Sequence, residues 1–250
     1  MVIKTDLSAV SVVVPAYQEA ASIVEALTRL STVLQTTGRD YEIIVVTDGC
    51  TDDTARLAKD TGLPNLTVLE YSQNQGKGYA LRYGFDRTTH PIVTFIDGDL
   101  DLDPAVLPAF FALLDSRAAD VVVGSKVHPE SQVSYPLKRR IASRVFRLAT
   151  RLATGLNLGD TQTGIKAMRR DLVAPLIARC TATGFAFDLE LLAALSDHGA
   201  QVVEAPVILN FDFTSTIRIS SALGAFADLA KVSAHRRQLR RLETRAGRSL

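Results

Sequence analysis

Five short runs rich in Val and Ile alternate with segments of helical periodicity, and this alternation restricts the possible folds more than any other feature of the chain. Continuous apolar runs of this length are typical of strands buried on both faces, as in a parallel sheet. Repeated strand–helix units predict a doubly wound, mostly parallel α/β sheet with helices on both faces. The predicted strands cover residues 11–15, 41–47, 66–71, 91–97 and 120–124, and the predicted helices cover residues 20–34, 53–59, 77–86, 104–115 and 171–178.

Polar residues follow four of these strands at their carboxyl ends. In an open α/β sheet, ligands bind beyond that edge, because the parallel strands all end there. The polar side chains are therefore predicted to converge on one crevice. They are Tyr17, Gln18 and Glu19 after the first strand, Asp48 after the second, residues 74–77 after the third and residues 97–103 after the fourth.

The segment FIDGDLDLD places four carboxylates at alternate positions, from Asp97 to Asp103, directly after the fourth strand. Like charges this close repel one another, so the arrangement indicates a neutralising cation. Asp97 and Asp99 form a DxD pair that can bind Mg²⁺ or Mn²⁺ through oxygen, usually together with a substrate diphosphate. Asp103 has a structural alternative, because it precedes Pro104 and fits the N-cap of a helix with proline at its first position.

The three other strand ends allow both a functional and a structural interpretation. Tyr17 and Glu19 can stack on and hydrogen-bond a nucleoside, or Glu19 can simply occupy the first turn of a helix. Asp48 fits a ribose or a base N–H, whereas the residues that follow it fit a turn and a helix cap. Lys77 between two glycines suits a phosphate, although GKG matches neither a P-loop nor a dinucleotide-binding fingerprint.

Charge is unevenly distributed along a chain whose net charge is only +1. Residues 138–151 carry six basic side chains and no acidic one, and residues 214–250 carry eight against two acidic ones. The protein is therefore predicted to be an acidic body with two basic surfaces. A composition of 47% hydrophobic and 22% charged residues excludes a disordered chain. Cys50 and Cys180 lie far apart without CxxC spacing, which favours a reducing, cytoplasmic environment.

A basic helix is predicted over residues 137–153, with arginines on one face and apolar residues on the adjacent one. This layout is typical of a helix that lies on an anionic membrane surface. The alternative is a solvated basic helix packed on the protein body, and the C-terminal basic helix allows both interpretations. Nucleic acid is disfavoured as a partner, because no aromatic residues interleave the basic ones. Since no stretch approaches the roughly 18 apolar residues of a membrane span, membrane contact is expected to be peripheral, on the inner face.

Six segments in this order resemble family 2 glycosyltransferases. They are VPAYQEA, VVTDGCTDDT, NQGKGYALRYGF, FIDGDLDLDP, DTQTGIKAMRR and FAFDLELL, and they run from about residue 10 to 215. Within the family, the set is most similar to polyprenyl- or dolichyl-phosphate sugar synthases, the glucosyl branch more than the mannosyl. The resemblance implies a GT-A-like, nucleotide-sugar-binding domain over residues 1–215, followed by a basic amphipathic helix over residues 216–250.

The resemblance also implies roles for individual residues. Nucleotide-sugar contacts are implied for Pro15, Tyr17, Glu19, Asp48, Lys77, Asp97, Gly98 and Asp99, with Mg²⁺ or Mn²⁺ on Asp97 and Asp99. The catalytic candidates are Asp99, Asp160, Gln162 and Asp188, with Glu190 also implied on the transfer side. The acceptor phosphate is implied to meet Lys126, Arg139, Ser143, Thr161 and Arg218.

The chain departs from the family pattern at three places. Thr47 precedes Asp48 where relatives usually have a second acid, and Cys50 stands where serine is common. Near the C-terminal end, where relatives often carry a lysine, the segment TSTIR offers Thr216 and Arg218. Many relatives carry transmembrane helices, and none is predicted here.

Together with the resemblance, which implies inversion of configuration, these observations predict transfer of a hexose to a polyprenyl monophosphate. Glucose from UDP-glucose is the favoured donor. A phosphate acceptor needs orientation more than deprotonation, which agrees with four histidines in loop or tail contexts. If the acceptor is instead a sugar hydroxyl, Asp160 or Asp188 is the candidate base. Three alternatives stay open: GDP-mannose as donor, a soluble or other cell-envelope acceptor, and a nucleotide-binding module without activity.

Overall fold

The computed structural model describes residues 7–99, 101–132, 149–151, 154–184, 186–209 and 229–236. Its strands are β1 Ala9–Ala16, β2 Asp40–Asp48, β3 Leu66–Tyr71, β4 Ile92–Phe95, β5 Val121–Ser125, β6 Lys166–Arg169 and β7 Val202–Pro206. They form one sheet in the order β3-β2-β1-β4-β6-β5-β7. All neighbouring pairs are parallel except those of β6, which is antiparallel to β4 and to β5. The prediction of a mostly parallel, GT-A-like α/β sheet is confirmed.

The strand order reverses at β1. The chain runs outward from β1 through β2 to β3, and it then places β4 on the opposite side of β1. Ligands of open α/β sheets bind at such a switch point, outside the carboxyl ends of the strands. The loops that begin with Tyr17 and with Asp97 follow these two adjacent strands, so the topology brings them to one edge.

Helices cover both faces of this sheet. They are α1 Ile23–Thr36, α2 Thr54–Asp60, α3 Lys77–Phe85, α4 Leu107–Asp115, α5 Arg170–Ile177 and α6 Ala186–Asp197, and a short 3₁₀ helix, Pro104–Val106, leads into α4. The predicted helices agree with these to within three residues at each end. The structural interpretation of Asp103 is confirmed, because its carboxylate accepts a hydrogen bond from the Ala105 amide at 3.0 Å, with Pro104 at the first helical position.

Two apolar layers make up the core. On one face of the sheet, α1 and α4 pack through residues such as Leu27 and Phe110, which are fully buried. On the other face, α3, α5 and α6 pack through residues such as Leu81 and Phe187. The strands between them present Val and Ile to both layers, which explains their continuous apolar runs.

The antiparallel strand β6 was not predicted from the sequence. It is only four residues long and contains Lys166 and Arg169, so it lacks the apolar run by which the other strands are recognised. Two short strands were predicted within residues 201–213, and the structure contains β7 followed by single bridges at Ile208 and Leu209. Residues 210–213 lie outside the described part.

Most of the predicted basic helix 137–153, including Arg139 and Ser143, lies outside the described residues, although residues 149–151 are helical. Arg218 and the boundary predicted at residue 215 also lie outside them, so these interpretations stay predictions. The C-terminal segment, residues 229–236, is helical and buries Leu229 against the core. None of the helices in the described residues has the length and hydropathy needed to span a membrane.

Candidate active site

The loops after β1 and β2 are bonded into one wall. Gln18, whose backbone adopts a positive φ of 59°, accepts a hydrogen bond from the Thr51 amide at 2.8 Å through its side-chain oxygen. The Glu19 amide donates to the Thr54 hydroxyl at 2.8 Å. These bonds fix the loop directly after Tyr17, whose side chain is 51% exposed. The wall therefore presents an aromatic ring to solvent at the switch point, as a stacking platform requires.

Cys50 contributes to the same wall. Its thiol donates to the Ala16 carbonyl and accepts a hydrogen bond from the Gln18 amide, both at 3.4 Å. Burial raises the pKa of the Cys50 thiol, so it stays protonated at neutral pH and keeps its hydrogen to donate. The departure from serine at this position therefore preserves a hydrogen-bonding group.

Asp48, at the end of β2, holds the loop between β3 and α3. Its carboxylate accepts hydrogen bonds from the Gln75 amide at 2.6 Å and the Gly76 amide at 2.9 Å, and it is 3% exposed. Gly49 has a positive φ of 64°, and a β-carbon there would lie 2.3 Å from the Asn74 amide nitrogen. This explains the glycine after Asp48. Two carboxylate oxygens offer about four acceptor positions, so Asp48 keeps acceptor capacity for a ligand.

The start of α3 does not present free amides to a phosphate. The Gly78 and Tyr79 amides donate to the Thr183 carbonyl at 2.7 and 3.3 Å. The two glycines of GKG allow this close approach, since a β-carbon on Gly76 would lie 2.6 Å from that carbonyl oxygen. The glycines are thus explained by packing against the loop before α6.

Lys77 reaches into the site from the start of α3. Its ammonium lies 2.7 and 2.9 Å from the two carboxylate oxygens of Asp97, and 3.8 Å from Asp188. Burial by itself would lower the pKa of Lys77, but the two carboxylates outweigh it and raise that pKa above its ordinary value. Lys77 is therefore a permanent cation beside the DxD pair.

A second lysine balances the buried charge. Lys166, from β6, is 1% exposed and lies 2.8 Å from Asp188, which is 3% exposed. Its ammonium also donates to the Thr163 carbonyl. These four side chains form a row of alternating charge in the order Asp97, Lys77, Asp188 and Lys166. The two close pairs are Lys77 with Asp97 and Lys166 with Asp188, and the longer contact between Lys77 and Asp188 joins the pairs.

Asp99 lies on the open side of this row. Its side chain reaches solvent and accepts a hydrogen bond from the Asp101 amide at 3.0 Å. Although one side of Asp99 is open, the residues around it partly desolvate its carboxylate, and together with the negative charge of Asp97 this raises the pKa of Asp99 to about 6. Burial also raises the pKa of Glu19, and its carboxylate accepts a 2.8 Å hydrogen bond from Ser22. Negative charge is therefore crowded where the strands end.

This crowding fits a divalent cation. Asp97 and Asp99 supply only carboxylate oxygens, the donor type that Mg²⁺ and Mn²⁺ prefer. The raised pKa of Asp99 reflects its burial first and the charge of Asp97 second, and a cation would offset both. Gly98, between them, packs over the end of β1, where a β-carbon would lie 3.3 Å from Val14. Among the described residues, no group of three or more His, Cys, Asp or Glu side chains is arranged to hold a metal ion.

The pKa of Asp99 predicts a loss of metal binding at acidic pH. Below about pH 6 a proton occupies Asp99 and competes with the cation, so the apparent Mn²⁺ affinity is expected to fall by about tenfold per pH unit. Titrating Mn²⁺ by electron paramagnetic resonance between about pH 5 and 8 measures this. In Asp99→Asn the Mn²⁺ affinity is expected to be low throughout this pH range, and a native affinity that stays constant down to about pH 5 contradicts the assignment.

Gly164 is placed against the carboxylate of Asp97. A β-carbon at this position would lie 1.9 Å from Asp97 Oδ2, far inside van der Waals contact. We expect Gly164→Ala to displace Asp97 and lower metal-dependent transfer by about a hundredfold, since a misplacement of 1 Å has effects of that size. Steady-state kinetics measures this. Gly184→Ala is the matched control, because a β-carbon there has nothing within 4 Å; equal activities in the two variants would contradict the prediction.

The loop before Gly164 carries the remaining predicted residues. Asp160 accepts hydrogen bonds from the Lys126 amide at 3.3 Å and the Gln162 amide at 3.1 Å, and Thr161 is 6% exposed. The structure thus brings Lys126, Asp160, Thr161 and Gln162 together. It also connects them, through Gly164, to Asp97.

Four residues of this arrangement were missed or placed differently by sequence reasoning. Glu204 of β7 accepts hydrogen bonds from the Gly159 and Asp160 amides at 2.9 and 3.0 Å, and nothing in its local sequence indicates this. Lys166 and Gly164 appear in the sequence analysis only as members of the segment DTQTGIKAMRR, without a predicted role of their own. The resemblance implies Glu190 on the transfer side, whereas the structure turns it to the Thr181 and Ala182 amides.

Comparison with known proteins shows the family of this chain. The family model Glycosyl transferase family 2 matches residues 11–176. Undecaprenyl-phosphate 4-deoxy-4-formamido-L-arabinose transferase from Pseudomonas aeruginosa (strain LESB58) is 31% identical over 243 residues, covering 88% of this chain and 70% of that protein. Glycosyltransferase AglD from Haloferax volcanii is 29% identical over 202 residues, covering 79% of this chain and 32% of that protein.

Solved structures share the fold. Glucosyl-3-phosphoglycerate synthase from Mycobacterium tuberculosis, in complex with Mn²⁺, uridine diphosphate and phosphoglyceric acid, has a TM-score of 0.68 and 25% identity, covering 90% of this chain and 78% of that one. Mannosyl-3-phosphoglycerate synthase from Rubrobacter xylanophilus has a TM-score of 0.69 and 20% identity, covering 93% and 75%. With the family model spanning most of the described sheet, this chain belongs to glycosyltransferase family 2 and is a glycosyltransferase.

Proposed function

We propose that this enzyme transfers a hexose from a nucleotide diphosphate sugar to a polyprenyl monophosphate, with inversion of configuration. The observation that carries the proposal is the DxD pair of Asp97 and Asp99 beside the cation of Lys77, at the switch point of the sheet. A diphosphate leaving group needs this combination of a metal site and a fixed positive charge. The undecaprenyl-phosphate transferase among the relatives supports a lipid phosphate as acceptor.

The donor is proposed to lie along the wall formed by the loops after β1 and β2. Tyr17 offers an exposed ring to the base, and Asp48, with Glu19 and Pro15 nearby, offers acceptors at the ends of the strands. Mg²⁺ or Mn²⁺ on Asp97 and Asp99 would neutralise charge on the diphosphate when bound. UDP-glucose is the favoured donor, and the Mycobacterium structure with uridine diphosphate and Mn²⁺ supports a uridine nucleotide.

The acceptor phosphate is proposed to enter from the side of Lys126 and Thr161, with Arg139, Ser143 and Arg218 contributing from outside the described residues. Its oxygen is already anionic, so the attack requires orientation and no strong base. Asp160 and Asp188 fit this requirement, because the oxygens of Asp160 accept backbone amides and Asp188 is paired with lysines. Gln162 would then help to orient the transferred sugar.

The location is proposed to be the inner face of the cell membrane. Six basic side chains within residues 138–151 would attract anionic lipid, at about 1 kcal/mol for each cation near the surface. The enzyme would then meet its lipid substrate without crossing the bilayer.

A transfer assay tests the proposal. Purified protein with Mn²⁺ or Mg²⁺ is given radiolabelled UDP-glucose or GDP-mannose and a short polyprenyl phosphate, beside a reaction without lipid. We expect label from UDP-glucose to move into the organic phase and to stay in the aqueous phase with EDTA. Asp97→Asn, purified in parallel, controls for a contaminating transferase. Donor hydrolysis without a lipid product contradicts the proposed acceptor.

The second candidate is transfer to a soluble phosphorylated acceptor. The structure of glucosyl-3-phosphoglycerate synthase with phosphoglyceric acid, at 25% identity, favours it specifically. Adding 3-phosphoglycerate to the same assay distinguishes the two, because a water-soluble labelled product appears only with this acceptor.

A further inference from the structure

Glu190 of α6 is a buried carboxylate that binds a loop instead of the donor. It is 7% exposed, and its Oε2 accepts hydrogen bonds from the Thr181 and Ala182 amides, both at 2.8 Å. Its Oε1 accepts a hydrogen bond from the Thr181 hydroxyl at 3.2 Å. Three donors on one carboxylate make this a strong attachment, because hydrogen bonds to ionised acceptors are the stronger kind. Glu190 therefore fixes the backbone of residues 181 and 182.

The same loop supports the start of α3. The Thr183 carbonyl accepts a hydrogen bond from the Gly78 amide at 2.7 Å, at the N-terminus of the helix, where amides lack partners within the helix. It also accepts a weaker one at 3.3 Å from the Tyr79 amide, which donates in addition to the Gly76 carbonyl at 3.0 Å. The contact is close-packed, since a β-carbon on Gly78 would lie 2.8 Å from the Ala182 carbonyl oxygen. A displacement of the loop would therefore move the first turn of α3 with it.

Lys77 lies in that first turn, and its ammonium is held 2.7 Å from Asp97. We infer that Glu190 is a positioning residue for the donor side of the site. By fixing residues 181 and 182, Glu190 holds the loop against which the first turn of α3 packs, and thereby sets the position of Lys77 against Asp97. Asp188, two residues earlier on α6, is the carboxylate that pairs with Lys77 and Lys166, whereas Glu190 is bonded to the loop.

The C-terminal segment approaches the same carboxylate from the other side. His235 Nε2 lies 3.6 Å from Glu190 Oε1, and the neighbouring Arg236 forms a two-bond pair with Asp197 of α6, at 2.6 and 2.5 Å. Replacing Glu190 therefore removes a contact to this segment as well as the loop bonds. Asp197→Asn is the matched control, because it weakens the attachment of the segment and leaves the loop bonds in place.

Hydrogen exchange measures the loop contact without reference to activity. In Glu190→Ala we expect the Gly78 amide to exchange about tenfold faster or more, since the loss of bonds to a charged acceptor has an effect of that size. Glu190→Gln keeps a carbonyl oxygen for the Thr181 and Ala182 amides, so exchange at Gly78 is expected to stay within about threefold of the native rate. Asp197→Asn is expected to leave exchange at Gly78 unchanged. Unchanged exchange in Glu190→Ala overturns the inference, whatever reaction the enzyme catalyses.

A second, kinetic test of Glu190 rests on the proposed function. We expect Glu190→Ala to raise KM for the nucleotide sugar by about tenfold, while KM for the acceptor stays within about twofold. A merely structural role would reduce the amount of active enzyme and leave both KM values unchanged, and that result overturns the inference. If native enzyme shows no transfer to any acceptor, the proposed function fails, and the exchange measurement still decides the role of Glu190.

Discussion

Replacing Asp97 by Asn is expected to lower the rate of sugar transfer by about three orders of magnitude. Asp97 supplies one oxygen donor of the DxD pair and neutralises Lys77 at 2.7 Å. The amide of Asn is uncharged, so the substitution weakens the cation site and removes the closer of the two carboxylates that Lys77 pairs with in the described residues, leaving Asp188 at 3.8 Å. Both effects act on the charge that develops on the leaving diphosphate.

The measurement is kcat with saturating donor and Mn²⁺, on protein whose folding is checked by circular dichroism. Asp101→Asn is the matched control, because it removes a carboxylate from the same DxDxD row without removing the Asp101 amide that binds Asp99. We expect this control to stay within about threefold of native activity. If Asp97→Asn keeps more than about a tenth of native activity, Asp97 is not a metal ligand of the reaction.

Lys166→Met is expected to destabilise the fold by about 3 kcal/mol, the lower end of the range for breaking a buried ion pair. Asp188 is 3% exposed, and it would be left with Lys77 at 3.8 Å as its nearest cation in the described part of the chain. The Thr163 carbonyl would also lose its donor. An uncompensated carboxylate in a buried site has a large desolvation cost, which sets the size of the effect.

Urea denaturation measures this free energy of unfolding. Lys59→Met is the matched control, because Lys59 pairs with Glu70 where both side chains are about half exposed, and such pairs contribute less than about 1 kcal/mol. The double variant Lys166→Met with Asp188→Leu is expected to recover most of the lost stability, since it leaves no buried charge unpaired. Equal losses in the two single variants would show that burial of the pair has no effect on stability.

The parallel half of the sheet could be predicted from the sequence because its signal is local. The strands β1, β2, β4 and β5 contain runs rich in Val and Ile, the pattern of a buried strand, and β3 is a short apolar run at the edge of the sheet. β6 could not be predicted in this way, because Lys166 and Arg169 interrupt its four residues. Its place in the sheet depends on pairing with β4 and β5, which are far away in sequence.

The DxD pair and the aspartate after β2 could also be predicted, because their positions at strand ends follow from the same pattern. The pairing of Lys77 with Asp97 follows less directly, since the GKG segment by itself suggests a phosphate site. In the structure its amides bind the Thr183 carbonyl, and only the lysine side chain faces the DxD pair.

The sequence by itself determined the order of the first five strands and the helices between them, the edge of the sheet where polar residues gather and the carboxylate pair that fits a cation. Only the tertiary structure decided how those charges are neutralised: Lys166 reaches Asp188, Gly164 makes room for Asp97, and Glu190 holds the loop that seats α3. The physical reason is the distance along the chain over which each kind of interaction acts. Periodicity and strand ends are set by neighbours along the chain, whereas a buried ion pair or a close backbone contact depends on residues that only the folded sheet brings together.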